Sequence, residues 1–285
     1  MSTPALPREL ELEIFTTAAI MYEETIPVLL RVARRVLAWI EPFLYKTLIF
    51  RGREKHRLID AIQALQQRSP DFIREHVRHV FVLLPNEELD RDLLALLAMC
   101  SGVQDLVLWN LTPKMLPFLP LPLRRLSLPL RLILPSRTDI ISGPFLSNLT
   151  HLDVHAIRGL AAWIGDLPSL THLAIYNPRD SSRPLLHNLI QASKRLRVLV
   201  LVFTLRRFSS QFIGPHSQII DDPRVVLMRT KNDLLYHYSD WKSGVAGGRD
   251  FWAYAEEFLD MKQSDPSIAT QVCDHPAYAY AEDEE

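Results

Sequence analysis

Cysteine is nearly missing from this 285-residue chain; Cys100 and Cys273 are the only two. Two thiols build neither a disulfide framework nor a four-thiolate zinc site, so a reducing compartment is expected. Glycine is scarce too, nine against 20 prolines. Many turns must therefore come from the fixed φ of proline. No apolar run approaches the ~18 residues of a membrane span. The opening "MSTPALPREL" lacks a basic start followed by an apolar stretch, which argues against a signal peptide. Both absences point to a cytoplasmic or nuclear protein with no membrane partner. The formal net charge is −1, so no basic field covers the chain and nucleic acid is not an expected partner. A Walker-type loop, G-x-S-x-G and H-E-x-x-H are all missing. No motif places a serine or cysteine nucleophile. The expectation is a protein that is not an enzyme, with no cofactor and no metal.

Helical spacing dominates the first third. "LPRELELEIFTTAAIMY" over 6–22 puts Leu10, Ile14, Ala18 and Met21 on one face, with Pro7 in the first turn. Thr25 is placed to cap a second helix over 25–40, apolar at Leu29, Leu30, Ala33, Val36, Leu37 and Ile40. Arg31, Arg34 and Arg35 fall on its outer face, and Pro42 marks a break. A third helix is expected over 55–68, apolar at Leu58, Ile62 and Leu65, with Ser69-Pro70 as its end.

From residue 77 the pattern shortens. The frame [LV]-x-x-[LV]-x-[LVI] starts at Val77, Val103, Leu123, Leu149, Leu170 and Leu196, at spacings of 26, 20, 26, 21 and 26. Its phrase L-T-H-L occurs twice, bringing His151 and His172 to matching positions. A period of 20 to 29 residues with L-x-x-L-x-L is the signature of leucine-rich repeats, each adding a short strand to a shared core. The longer repeats have room for helices, one from Asn86 to Gly102 and one beginning at Ser182. "TPKMLPFLPLP" is too rich in proline for one and reads as extended or 3₁₀. A seventh strand is expected at 223–228. Asp250 is placed to cap a helix with Phe251, Trp252, Ala255, Phe258 and Leu259 on one face. The segment after it has no usable period and ends in acid, so it reads as a mobile tail.

The opening "LPRELELEIF" resembles the start of an F-box, and "LLRVARRVLAWIEPFLYKTLIF" resembles its end, where a basic, aromatic-bearing helix leads into P-x-L-Y and a strand. With the repeats and the "G-x-x-G-G-x-D-F-W" helix, most of residues 6–262 are similar to F-box/leucine-rich-repeat proteins of mushroom-forming fungi. The resemblance implies a substrate receptor of an SCF-type ubiquitin ligase, with a Skp1-like adaptor as one partner and an unknown protein target as the other. It assigns Leu6, Pro7, Leu10, Ile14 and Phe15 to adaptor contact. The alternative is a repeat-bearing binding protein with no adaptor, its head being a cap for the repeats. The frame lacks the usual Asn or Cys three positions after its last apolar residue; Ile157, Pro178 and Thr204 stand there, so irregular repeats are expected.

The expected fold class is α/β: an irregular leucine-rich-repeat solenoid with an all-α head and a C-terminal capping helix. Its divisions are a head over 1–50, a linking helix over 51–76, repeats over 77–235, a cap over 236–262 and a tail over 263–285. Strand alternation sends the residues between the frame positions to a concave, solvent-facing side. In-register stacking gives rows there. One holds His79, Asp105, Arg125, His151, His172 and Val198; the next holds Phe81, Val107, Ser127, Asp153, Ala174 and Val200; a third holds Leu83, Trp109, Pro129, His155, Tyr176 and Val202. Of these, His79, Asp105, Trp109, Arg125, His151, Asp153, His155, His172 and Tyr176 are the expected target contacts, since they mix aromatic, charged and polar groups. The Phe251–Leu259 helix is expected to cover the apolar end of the rows at Val198, Val200 and Val202.

Overall fold

The computed structural model describes residues 6–52, 55–84, 90–109, 112–128, 144–155, 164, 167–178, 182–204, 222–230, 234–268 and 272–276. Among them, nine strands form a single all-parallel sheet in chain order. They are β1 (Thr47–Arg51), β2 (His79–Leu83), β3 (Asp105–Leu108), β4 (Arg125–Leu128), β5 (His151–Val154), β6 (His172–Tyr176), β7 (Val198–Thr204), β8 (Val225–Thr230) and β9 (Cys273–Asp274). The chain is therefore α/β.

The frame spacing translates directly into geometry. At five frame starts the backbone N–H returns to the carbonyl three residues earlier: Val103 to Cys100, Leu123 to Pro120, Leu149 to Leu146, Leu170 to Leu167 and Leu196 to Ser193, at 3.2–3.3 Å. One tight turn thus opens each of these five strands, whatever the length of the connection before it, while Val77 before β2 closes α5 by bonding back to Ile73. The frame residues fill one side of the sheet. Leu106, Leu126, Leu152, Leu173 and Leu199 lie in a continuous core with α4 (Lys55–Gln66), α5 (Pro70–His76), α6 (Asp90–Met99) and α7 (Arg183–Ala192). Leu58, Ile62 and Leu65 are buried as their spacing predicts. "PKMLPF" over Pro113–Phe118 is 3₁₀.

A side-chain ladder runs along the strand entries. Asn148 Nδ2 donates to the Leu121 carbonyl at 3.1 Å, Ser169 Oγ to Ser147 at 2.6 Å, and Arg195 to Pro168. Each donor stands just before a frame start and reaches the same acceptor position in the previous repeat. Thr150 and Thr171 add a second rung, donating to the Arg124 and Thr150 carbonyls. Of the positions expected to break the usual ladder, Ile157 lies outside the described residues. The backbone is satisfied at the opposite end of the strands, by residues of mixed type.

Several elements differ from expectation. The helix expected over 25–40 is two pieces, α2 (Ile26–Leu29) and α3 (Arg34–Lys46), with turn residues between them. Thr25 makes no side-chain cap; its hydroxyl bonds back to Tyr22 instead. Pro42 sits inside α3 without breaking it. Ser69-Pro70 starts a helix as well as following one, because Ser69 Oγ accepts from Phe72 N at 3.2 Å and caps α5. Ser182 precedes α7 but makes no cap bond; the Asn86 cap lies outside the described residues. Residues 47–50 of the expected head, with Arg51 of the expected linking helix, supply β1. The expected tail contributes β9, paired with β8; its residues 269–271 and 277–285 lie outside the described residues.

The region expected to hold one capping helix holds two, α8 (Leu234–Val245) and α9 (Phe251–Ser264). Asp250 caps α9 as predicted, accepting from Ala253 N at 3.1 Å. Both helices lie on the second face of the sheet. Among the described residues, no helix is long and apolar enough to cross a membrane.

Candidate functional site

The rows expected from the spacing are present in register. His79 pairs with Asp105, Asp105 with Arg125, Arg125 with His151, His151 with His172, and His172 with Val198. Ser127, Asp153, Ala174 and Val200 align in the next row. Tyr176 and Val202 align in the third; Pro129 lies outside the described residues.

The solvent exposure expected of these rows is not found, because α8 and α9 cover them. At the C-terminal strands the cover is dry. Phe251, Trp252, Ala255, Phe258 and Leu259 pack on Ala174, Val198, Val200, Val202, Val226 and Met228. The apolar end of the rows is thus closed by the helix expected to close it. Trp252 also stands edge-on to His151 and His172, whose rings stack at 4.1 Å.

The histidine nitrogens are drawn to separate partners. Each Nδ1 lies beside the hydroxyl of the preceding threonine, 2.9 Å for Thr150 and 2.8 Å for Thr171, and His172 Nε2 meets Glu256 of α9 at 3.0 Å. The repeated Thr-His pair is therefore a structural unit: the threonine bridges repeats and fixes its neighbour's ring. Among the described residues, no group of three His, Cys, Asp or Glu converges as a metal site.

At the N-terminal strands the cover is mixed. Trp241 of α8 packs on Phe81 and Val107 and donates its indole N–H to Asp105 at 2.8 Å. His237 stands among Phe81, Trp109 and Tyr176. Ser127 Oγ lies 2.9 Å from Asp153 and 3.3 Å from His237 Nε2. Arg125 reaches 2.7 Å to Asp250, which caps α9 with its other oxygen. Asp240 meets His275, beyond β9, at 2.8 Å. A cavity of about 30 Å³ remains between sheet and helices, lined by Asp105, Ser127, Asp153, His237 and Asp240 among others. That is room for a water molecule or so, not for a metabolite.

Burial sets the protonation here. It pushes the Asp153 carboxyl up to about 8, against the bond from Ser127, and Asp105 up to about 6, against the Trp241 bond. It pushes His237 down to about 3, His79 to about 4 and His151 to about 2. Near neutrality, then, Asp153 holds a proton and these histidines do not. A neutral acid and neutral rings suit a site removed from water.

Ser127, His237 and Asp153 are the residue types of a nucleophilic relay, but they are arranged otherwise. In such a relay the acid orients the ring nitrogen turned away from the serine. Asp153 instead bonds Ser127 and lies 3.9 Å from Nε2, the same nitrogen that faces the serine. Nδ1 faces the Tyr176 hydroxyl at 3.4 Å.

The residues expected to touch an adaptor lie apart from this, on α1 (Arg8–Met21) and just before it. Leu6, Leu10 and Ile14 are 55%, 46% and 53% exposed. Pro7 is the exposed N-cap of α1. Phe15 turns inward, against a small core made by Ala19, Ile26, Val36 and Ile40. Glu11 and Arg35 clamp α1 to α3 through two bonds of 2.7 and 2.9 Å. The apolar stripe at Leu10, Ile14 and Met21 is thus open to water.

His237, Asp240 and Trp241 were not legible as site residues. Their spacing, i, i+3 and i+4 in "HYSDW", fits a helix face, but nothing local ties that face to strands far earlier in the chain. No protein-family model matches the chain, and no curated protein matches it.

Proposed function

We propose that the chain is a non-catalytic receptor of an SCF-type ubiquitin ligase: an F-box-like head that binds a Skp1-like adaptor, carrying a leucine-rich-repeat solenoid for a protein target. The observation that carries the reading is the open face of α1. Leu6, Leu10 and Ile14 stay in water while Phe15 and Ala19 hold the helix to α3. Leaving three large apolar side chains half exposed forgoes stabilisation on the order of 1 kcal/mol each, and a contiguous patch of this kind marks an interaction surface. These are also the positions that the F-box resemblance assigns to the adaptor. A non-catalytic role is supported by Asp153, which bonds Ser127 and leaves the far ring nitrogen of His237 to Tyr176.

The head also closes the end of the sheet. Tyr45 of α3 stacks edge-on to Phe72 of α5 at 5.4 Å, and Glu41 pairs with Arg68. That contact favours the second reading, a binding protein whose head is only a cap. Co-expression with a Skp1-like adaptor separates the two. Adaptor binding predicts a complex that survives gel filtration and is lost in Leu10→Asp/Ile14→Asp. A folded chain that elutes alone would leave the capping reading.

A further inference from the structure

The second face of the sheet is closed by α8 and α9, so a target has to meet the repeats elsewhere. One line of side chains reaches water along the strand entries. It is made by the residue just before each strand, one place ahead of the His79–Val198 row. Lys46, Arg78, Gln104, Arg124, Thr150, Thr171 and Arg197 follow one another there. From Arg78 onward each backbone N–H donates to the carbonyl of its counterpart before the previous strand, at 2.7–3.0 Å. The backbone thus holds these positions about 4.8 Å apart along a fixed edge.

No acid stands in this line. Lys46, Arg124 and Arg197 are exposed, and among the described residues none of the three has a carboxylate within ion-pair range. Arg78 donates to the Gly102 carbonyl at 3.2 Å. Basic residues beside the line are matched: Arg125 by Asp250, and Arg224, at the next strand, by Asp222. The rings behind the edge feel its field. Burial first, then the charges of Lys46, Arg125 and Arg78, hold His79 down to about 4. Burial also depresses His172 against the pull of Glu256, and Arg197 and Arg125 add to the depression. Like charges held side by side repel, which costs the fold stability. A chain of formal net charge −1 concentrates that cost along this one edge.

From this we infer that the strand-entry edge is the target contact, and that it takes an extended acidic segment of a protein laid across the repeats. Arg124 and Arg197 each grip one carboxylate through paired guanidinium N–H groups, while Lys46 and Arg78 meet acids further along. Three strand spacings, about 14 Å, separate Arg124 from Arg197. Four residues of extended chain, at about 3.4 Å each, cover that distance, so acids at i and i+4 are selected. Nucleic acid fits less well. The net charge of −1 gives a long polyanion no general attraction, and Trp252, beside His151 and His172, is buried and offers no face for stacking a base. The inference rests on reading the repeats as the part that holds the target, and it needs no adaptor.

The test titrates the full chain, with no adaptor present, into a labelled peptide of about 12 residues alternating glutamate and serine, which places acids at i and i+4 on one side. The wild type is expected to bind it at least tenfold more tightly than the same peptide with glutamine for glutamate. Arg124→Glu/Arg197→Glu is expected to weaken binding at least tenfold with an unchanged melting temperature. Arg31→Glu/Arg34→Glu, which reverses as much charge on the head, is expected to bind as the wild type does. Equal binding of the two peptides, or an equal loss in the head variant, overturns the inference. Tighter binding of an oligothymidylate of similar length overturns it too, in favour of a nucleic-acid surface. If the Arg124→Glu/Arg197→Glu chain melts lower, Arg124→Gln/Arg197→Gln is read by the same criterion. Every outcome leaves the adaptor experiment, which turns on Leu10 and Ile14, untouched.

Discussion

Asp153 is the residue whose chemistry has the clearest consequence. In an unfolded chain its carboxyl ionises near 3.8, whereas burial holds it to about 8 in the fold. Between those values the folded state keeps a proton that the unfolded state loses, so its contribution to stability falls as pH rises, until about 8. Asp105 acts in the same direction up to about 6. His79, His151 and His237 act oppositely: each is held below its ordinary 6.5, so each costs stability as pH falls below that value. Three histidines outweigh two acids on the acid side, and Asp153 prevails above 6.5. Stability is therefore expected to peak near pH 6.5 and to fall by on the order of 1 kcal/mol per pH unit toward pH 8. Asp153→Asn, which imitates the protonated acid, should flatten that alkaline limb in denaturant titrations run at several pH values. An unchanged limb would mean that Asp153 is not the titrating group. A second residue-scale expectation concerns Gly102. A Cβ there would overlap the Arg74 backbone carbonyl, and a backbone atom gives way poorly. Gly102→Ala should cost about 1–3 kcal/mol, read as a lowered denaturation midpoint.

At the scale of elements, α9 carries the greater share of the cover. Trp252→Ala removes an aromatic that touches both histidines of the stacked pair and the apolar end of the rows. A loss of roughly 3–5 kcal/mol is expected, from the size of buried aromatic truncations; an unchanged melting temperature would contradict the packing. This element was legible because its cap, its apolar face and the greasy strand it covers are all local patterns. The strands were legible for the same reason: the frame sets the register of the His79–Val198 row and of the Ser127–Val200 row. What was not legible depended on distance along the chain. The polar residues of the rows fit a solvent-facing surface as well as one buried under a helix. Only the long-range docking of Trp241 on Asp105, 136 residues apart, distinguishes them. The strand β9 failed differently, since two paired residues carry no period to read.

At the scale of the molecule, one sheet keeps its frame side against α4–α7 and its second side against α8 and α9, and the head at its first strand leaves one helical face in water. Opposite ends of the chain thus do opposite things with apolar surface. The C-terminal helices cover theirs, and α1 exposes Leu6, Leu10 and Ile14. We propose that this open face binds an adaptor, and titration of the purified chain with a purified Skp1-like adaptor is the direct test. The expected result is a 1:1 complex of micromolar or tighter affinity, weakened at least 100-fold by Leu10→Asp/Ile14→Asp with no drop in melting temperature. No heat of binding from the folded wild type, or equal affinity in the double variant, would contradict the claim.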